Sequence, residues 1–286
     1  MNAELVPTLQ AAQQELDPQF KALRAATAAV KQAQRLAGEE PLDALAMQKA
    51  LVKLQQANAQ MQNDALQAAT QTFAAATQTA LDGLAFDFAR ELKATFEARG
   101  ESVEGRPPTL VVNGLTLQID IGTRKAQWLY GKESLTRPIP LSINGIVKAY
   151  DQQRRAILER TVDIPAFLAE LYAAWQKLTG QKQRSANNYA NLVAAYSQLT
   201  LDRQSARFWN APSRSTFKDY DRAHFVRDLV LAHDAPTVTV DGTTYRLRLG
   251  VATKSQADSA TRSIWLPQAG LDGEYYANVA FEEVDQ

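Results

Sequence analysis

Pro108-Thr109-Leu110-Val111-Val112-Asn113-Gly114-Leu115-Thr116 reads as two short apolar strands joined by Asn-Gly, the dipeptide that best supplies positive φ at both central positions of a type I′ hairpin turn. The same kind of text returns as Pro236-Thr237-Val238-Thr239-Val240-Asp241-Gly242-Thr243-Thr244. The flanks return with it: Phe88-Ala89-Arg90-Glu91-Leu92 precedes the first hairpin and Phe225-Val226-Arg227-Asp228-Leu229 the second. Gly122, Thr123-Arg124 and Trp128-Leu129 follow the first, and Gly250, Thr261-Arg262 and Trp265-Leu266 follow the second. Matches in one order across a helix-like stretch, a turn and strand-like stretches point to a duplicated module. Each copy is expected to run helix, hairpin, then a third strand carrying the Trp. In the first copy the prolines of Thr136-Arg137-Pro138-Ile139-Pro140 allow a fourth strand only at an edge, whereas Glu274 to Phe281 reads as a closing strand of the second. The second copy also inserts a polar loop, Ala252 to Ala260.

Between the copies the chain is helical. Ser142 is placed to cap a helix through Ile146, Val147, Tyr150 and Ile157, and Asp163-Ile164-Pro165 opens another carrying Phe167, Leu168, Leu171 and Trp175. A third is expected from Ala186 through Leu192, Ala195, Tyr196 and Leu199.

Ahead of the first copy, from Thr8 to about Gly100, Ala, Gln, Leu and Lys dominate and β-branched runs are absent, a composition of strong helix formers. Leu9, Leu16, Leu23, Val30 and Ala37 recur at heptad spacing, thickened by Phe20, and predict the seam of a paired helix. Asp17-Pro18 predicts a break into a short and a longer helix, and Gly38 a helix stop. A second long helix is expected from Pro41 toward Arg99, its seam formed by Met47, Leu54, Met61, Ala68 and Ala75. After a kink or break at Gly83, the seam moves to Leu84, Phe88, Leu92 and Phe96. The short Gly38 to Pro41 connection calls for an antiparallel hairpin. The fold class is therefore α+β, with a coiled-coil-like helical hairpin arm at 1–83, a first α+β module at 84–160, a helical connector at 161–216 and a second α+β module at 217–286.

Composition bounds the function. The chain has 286 residues, 45% of them hydrophobic, with 31 basic and 31 acidic side chains, so there is no net field to draw it onto nucleic acid or an anionic membrane. It contains no cysteine, which removes disulfides, thiolate zinc sites and cysteine nucleophiles. Met1-Asn2-Ala3-Glu4-Leu5 lacks a basic n-region and apolar block, and no apolar run has the ~20 residues of a membrane helix, so the cytoplasm is the expected compartment and no membrane partner is expected.

The chemistry-bearing residues are sparse, and no catalytic residue, cofactor or metal site is assigned from them. His224 and His233 are the only imidazoles, too few for a histidine-rich metal cluster, and His233 suits the negative end of a helix. Gly250-Val251-Ala252-Thr253-Lys254-Ser255 has the outline of a phosphate loop without its second glycine. Asp120 with Glu91 and Lys93 is the one set a metal-dependent nuclease would use, although Glu91 and Lys93 fall on a helix.

A basic and aromatic stretch from Gln181 to Arg227 is the better candidate for ligand contact, because cations neutralise phosphates while aromatic faces stack on unpaired bases. Its candidate nucleic-acid contacts are Lys182, Arg184, Arg203, Arg207, Arg214 and Lys218, with Tyr189, Trp209 and Tyr220 as candidate stacking residues. Arg246 and Arg248 on one strand face add to them, as do Arg124, Lys125 and Arg262, Arg124 and Arg262 holding matching positions in the two copies. The sequence thus favours a non-enzymatic assembly protein that binds a protein partner or itself through residues 8–83 and offers the duplicated modules as a platform. The alternative is a DNA- or RNA-binding subunit of a bacterial-type genome-maintenance or defence complex, and the third option is the nuclease.

Overall fold

The computed structural model describes residues 5–40, 42–61, 63–180 and 188–284. It divides into two units, Met1–Ala94 with Ile119–Lys125, and Thr95–Gln118 with Ala126–Gln286.

In the first unit α1 (Leu5–Ala37) and α2 (Ala44–Gln60) fold back on one another, and α3 (Asp64–Glu97) joins them. The α1 stop is where Gly38 places it, with the Gly38 and Glu39 N–H groups donating to the carbonyls of Arg35 and Leu36 at 3.2 and 3.4 Å. The next helix starts later than expected because Asp43 is its cap, accepting from Leu45 and Ala46 N–H at 3.2 and 3.0 Å; Pro41 lies outside the described residues. The seam also differs from expectation. Leu9, Leu16, Leu23, Val30 and Ala37 are all exposed, and the residues that α1 buries are Ala26, Ala29, Ala33 and Leu36. These spacings of three, four and three form a parallel stripe around the helix. Alanines let the neighbouring backbones approach closely, so that Met47, Leu54, Leu66 and Phe73 can fill the space between them, each worth about 1.5–3 kcal/mol of burial.

Three further expectations fail for local reasons. α1 runs unbroken through Pro18, in a stretch where every residue is exposed and water can satisfy the carbonyl that proline leaves without a donor. The second helix breaks at Met61–Asn63, because Asn63 caps α3 by accepting from Leu66 N–H at 2.9 Å. That break moves the buried stripe onto Leu66, Thr70, Phe73 and Thr77 and leaves Ala68 and Ala75 exposed. Gly83 does not break α3; it is an exposed helical glycine, costing roughly 1 kcal/mol in propensity. Leu92 and Phe96 are buried as expected, whereas Leu84 is exposed.

The strands of the first sheet are β1 (Val103–Arg106), β2 (Thr109–Val112), β3 (Leu115–Asp120), β4 (Lys125–Tyr130), β5 (Glu133–Ser134) and β6 (Ile139–Pro140). Its order is β1-β2-β3-β4-β5, with β6 beside β4 as the short edge the prolines allow. The helices α4 (Ile143–Gln153) and α5 (Ile164–Gly180) follow, capped as expected by Ser142 accepting from Gly145 N–H at 3.2 Å and Asp163 accepting from Ala166 N–H at 3.1 Å. A π-helical turn at Arg154–Leu158 lies between them. Then come β7 (Ala190–Asn191), α6 (Leu192–Asp202), α7 (Ala206–Asn210) and α8 (Arg222–Asp234). α6 starts at Leu192 because Asn191 caps it, accepting from Ala194 N–H at 3.0 Å; Ala186, where a start was expected, is outside the described residues. The chain ends in β8 (Thr237–Val240), β9 (Thr243–Val251), α9 (Lys254–Ala257), β10 (Ile264–Pro267) and β11 (Gly273–Glu283).

The α+β class holds: long N-terminal helices, then antiparallel sheets with helices. Both hairpin turns form as read, with φ of 47° and 86° at Asn113-Gly114 and 51° and 83° at Asp241-Gly242. Past the hairpins the resemblance between the copies stops. In the first sheet the Trp128 strand β4 lies directly beside β3, whereas the second sheet has the order β10-β11-β9-β8, so the Trp265 strand is an edge and β11 takes the place next to β9. The inserted Ala252 to Ala260 segment, which contains α9, carries the chain away from β9 before β10 forms. Glu274 to Phe281 accordingly lies within a central strand and closes nothing. The tryptophans differ in the same way. Trp128 is fully buried against Phe96 and Tyr150 at 6.1 and 5.2 Å and donates from Nε1 to the Ile146 carbonyl at 3.1 Å, while Trp265 is half-buried.

Candidate assembly interface

α1 has 33 residues and α2 has 17, about 50 and 25 Å of helix, so α2 can accompany only half of α1. The other half has no cover from described residues: nothing from Leu5 to Ala25 is buried. Its apolar side chains are nevertheless in register. Val6, Leu9, Leu16, Phe20, Leu23 and Val30 line one side, with Leu16, Phe20 and Leu23 60%, 64% and 54% exposed. Isolated exposed leucines are ordinary, whereas exposed apolar side chains aligned along one helix face make this stripe the candidate for an interface. The stripe holds a shallow cleft of about 400 Å³ lined by Phe20, Leu23, Arg24, Thr27, Ala28 and Lys31. Glu15 and Asp17 lie N-terminal to Phe20, and Lys21, Arg24 and Lys31 lie C-terminal to it; among the described residues none of these charges has an ion-pair partner.

A second exposed apolar feature sits on α7 and the loop after it. Phe208 contacts Trp209 and Phe217 at centroid distances of 5.2 and 5.5 Å, and Trp209 is 56% exposed. The loop is held in place by Gln204, whose Oε1 accepts from Lys218 N–H at 2.7 Å and whose Nε2 donates to the Lys218 carbonyl at 2.8 Å. Arg207, Arg214 and Lys218 are close to these rings in the chain, all exposed and without ion pairs among the described residues.

The remaining sequence candidates are not gathered with them. Arg203 is engaged: it pairs with Glu170 and its guanidinium lies 3.9 Å above the Tyr220 ring. Tyr220 is buried, its hydroxyl donating to Asp228 at 2.6 Å, so its ring is closed to a base. Burial, reinforced by that bond to a carboxylate, pushes the Tyr220 phenol well above its ordinary pKa. Arg248 pairs with Glu282 across the β9/β11 ladder, while Arg246 is exposed on β9, Arg262 in the turn ahead of β10 and Tyr189 just ahead of β7. Arg124, at φ 54°, ends the β3–β4 turn and Lys125 begins β4, and the differing strand orders remove the matching of Arg124 with Arg262. Lys182 and Arg184 lie outside the described residues.

The catalytic alternatives fare no better. Asp120 accepts from Thr123 N–H at 3.0 Å, and the N–H and hydroxyl donors of Thr123 hold its carboxyl below the usual range, the work of a turn cap. Glu91 and Lys93 lie on α3, and His224 and His233 on α8. The glycine-lysine stretch is the end of β9 plus the four-residue α9. Among the described residues no three His, Asp or Glu side chains gather to hold a metal. No helix among them is long and apolar enough to cross a membrane.

A network that sequence reading passed over is the buried carboxylate of Asp228, 2% exposed, which is ion-paired by Arg160 and bonded by Tyr220. The signal was present: Asp228 lies three residues after Phe225 and beside Leu229, on the apolar face of α8. Comparisons with protein-family models, with curated proteins and with solved structures returned no match.

Proposed function

We propose that this chain is an assembly protein that associates with further copies of itself through α1, its two-sheet unit serving as the platform that assembly displays. The carrying observation is the exposed heptad stripe on the half of α1 that α2 cannot reach. Covering Leu9, Leu16, Phe20, Leu23 and Val30 is worth about 1–2 kcal/mol for each side chain, given that each is only partly exposed now. Summed over two copies this is of the same order as the ~4–15 kcal/mol cost of association, so the stripe is long enough to sustain a pair. The test is the mass of the full-length protein by light scattering against a variant carrying Leu16→Glu, Phe20→Glu and Leu23→Glu. A multiple of the 31.5 kDa chain mass that falls to the monomer in the variant is expected. A monomeric parent chain, or an oligomer indifferent to the three substitutions, refutes the reading.

A second reading, a nucleic-acid-binding subunit, is supported by the Phe208, Trp209 and Phe217 cluster with its unpaired Arg207, Arg214 and Lys218. It requires that labelled single-stranded DNA bind with an affinity that falls as salt rises, and that Trp209→Ala weaken binding by about 1–3 kcal/mol. Absence of binding at low salt removes it.

A further inference from the structure

We infer that α1 pairs with α1 of a second copy in antiparallel orientation about a twofold axis level with Lys21 and Ala22, seating Phe20 of each copy in the cleft formed by Phe20, Leu23, Arg24 and Thr27 of the other. This rests on the self-assembly reading above and specifies its geometry. Over α1 the exposed stripe follows a heptad in which Val6, Gln13, Phe20 and Thr27 hold position a and Leu9, Leu16, Leu23 and Val30 hold position d. The column flanking it at position e reads Gln10, Asp17, Arg24 and Lys31. The opposite flank, at g, contains Ala26 and Ala33, which are buried in the hairpin with α2, so the e column is the open edge where charges of two copies meet.

That column selects the orientation. A parallel pair sets the e column of each copy against the g column of the other, Ala12, Gln19, Ala26 and Ala33, which holds no charge to pair with and has Ala26 and Ala33 already buried in the hairpin, whereas an antiparallel pair sets e against e. An antiparallel pair with Leu23 level with Phe20 of the other copy, and Leu16 level with Thr27, brings Asp17 within about two residues' rise, ~3 Å, of Arg24, and Gln10 equally near Lys31. Sliding this pair by one heptad in one direction puts Asp17 against Asp17, and in the other puts Arg24 against Arg24. The favoured register also answers the cleft, because four residues at a, d, e and a form the hole into which a facing-helix knob inserts, and the knob at that level is Phe20. A twofold pair of this kind is isologous, each copy giving and receiving the same contacts.

The chain has no cysteine, so single-cysteine variants of the full-length protein report the geometry. Mixing Gln10→Cys with Lys31→Cys under mild oxidation is expected to give the mixed disulfide dimer, with little cross-linking of either variant alone. Asp17→Arg is expected to weaken the dimer about tenfold, from attraction lost and repulsion gained at two symmetric contacts. Adding Arg24→Asp to it is expected to restore the parent affinity to within about threefold. A dimer in which Gln10→Cys links to itself, or in which the double charge exchange is no better than Asp17→Arg, overturns the antiparallel register while leaving self-assembly standing. A parent chain that stays monomeric removes the self-assembly reading and the register together.

Discussion

Arg160→Ala should be among the most damaging substitutions of a partly exposed residue in the second unit. Asp228 is 2% exposed on α8 and has two partners, the Arg160 guanidinium and the Tyr220 hydroxyl at 2.6 Å. Removing one partner of a buried ion pair costs about 3–5 kcal/mol, since the charge left behind keeps its desolvation penalty and loses its compensation. The Arg160 side chain is 31% exposed, and its Nε is buried without a hydrogen-bond partner, so the lower end applies: about 3 kcal/mol. Tyr220→Phe, which takes away a hydroxyl and leaves the ion pair, should cost about 1–2 kcal/mol. The diagnostic variant is Arg160→Ala combined with Asp228→Asn, which no longer buries a charge and should recover about 1–2 kcal/mol of the loss. Urea unfolding followed by tryptophan fluorescence suits the measurement, because Trp128, Trp175, Trp209 and Trp265 all lie in the unit that holds Asp228. A cost below about 1 kcal/mol for Arg160→Ala, or a double variant less stable than the single one, would refute the reasoning.

Two other outcomes follow from the packing. Burial raises the Tyr130 and Tyr220 phenols above the ordinary value near 10, so the folded chain keeps protons that the unfolded chain releases; stability should be complete below that pH and fall by up to about 1.4 kcal/mol per pH unit for each phenol as pH rises beyond it, as urea midpoints across the alkaline range will report. Gly131→Ala should destabilise by more than Gly242→Ala in the same assay: both have positive φ, 58° and 83°, at about 1–2 kcal/mol each, but a Cβ at Gly131 meets Trp265 at 3.0 Å and Pro267 at 3.2 Å whereas at Gly242 it meets open space.

Much of the fold was legible in local chemistry. The Asn-Gly and Asp-Gly turns, the Ser142 and Asp163 caps and the Gly38 stop act within four residues of themselves, and all stand where the sequence puts them. Misreadings arose where a choice depended on partners. Leucine outranks alanine in hydrophobicity, so the heptad of Leu9, Leu16 and Leu23 looked like the hairpin seam, yet close helix approach selected Ala26, Ala29 and Ala33 and left the leucines outside. Asn63 competes for backbone N–H groups inside a run of helix formers, and its cap broke a helix that composition alone would continue. The strand order of the second sheet depended on where an inserted loop delivers the chain, which no hairpin motif encodes. For the candidate interface, the residues were legible and their exposure was not. For the basic stretch, Arg203 and Tyr220 were drawn inward by Glu170 and Asp228, partners at a sequence distance that periodicity does not see.

The turn between β4 and β5 has a practical meaning for anyone dissecting this chain. Lys132 sits 4.0 Å above the Trp265 ring and 4.3 Å above that of Tyr275, Gly131 abuts Trp265, and Glu133 is held by Arg222 of α8 at 2.8 Å. A fragment made by cutting between the two sheets would strip Trp265 of its roof on an open sheet border, where unpaired backbone groups invite aggregation. Expression boundaries drawn from the apparent repeat would therefore yield insoluble halves, and the two sheets of the second unit belong on one fragment.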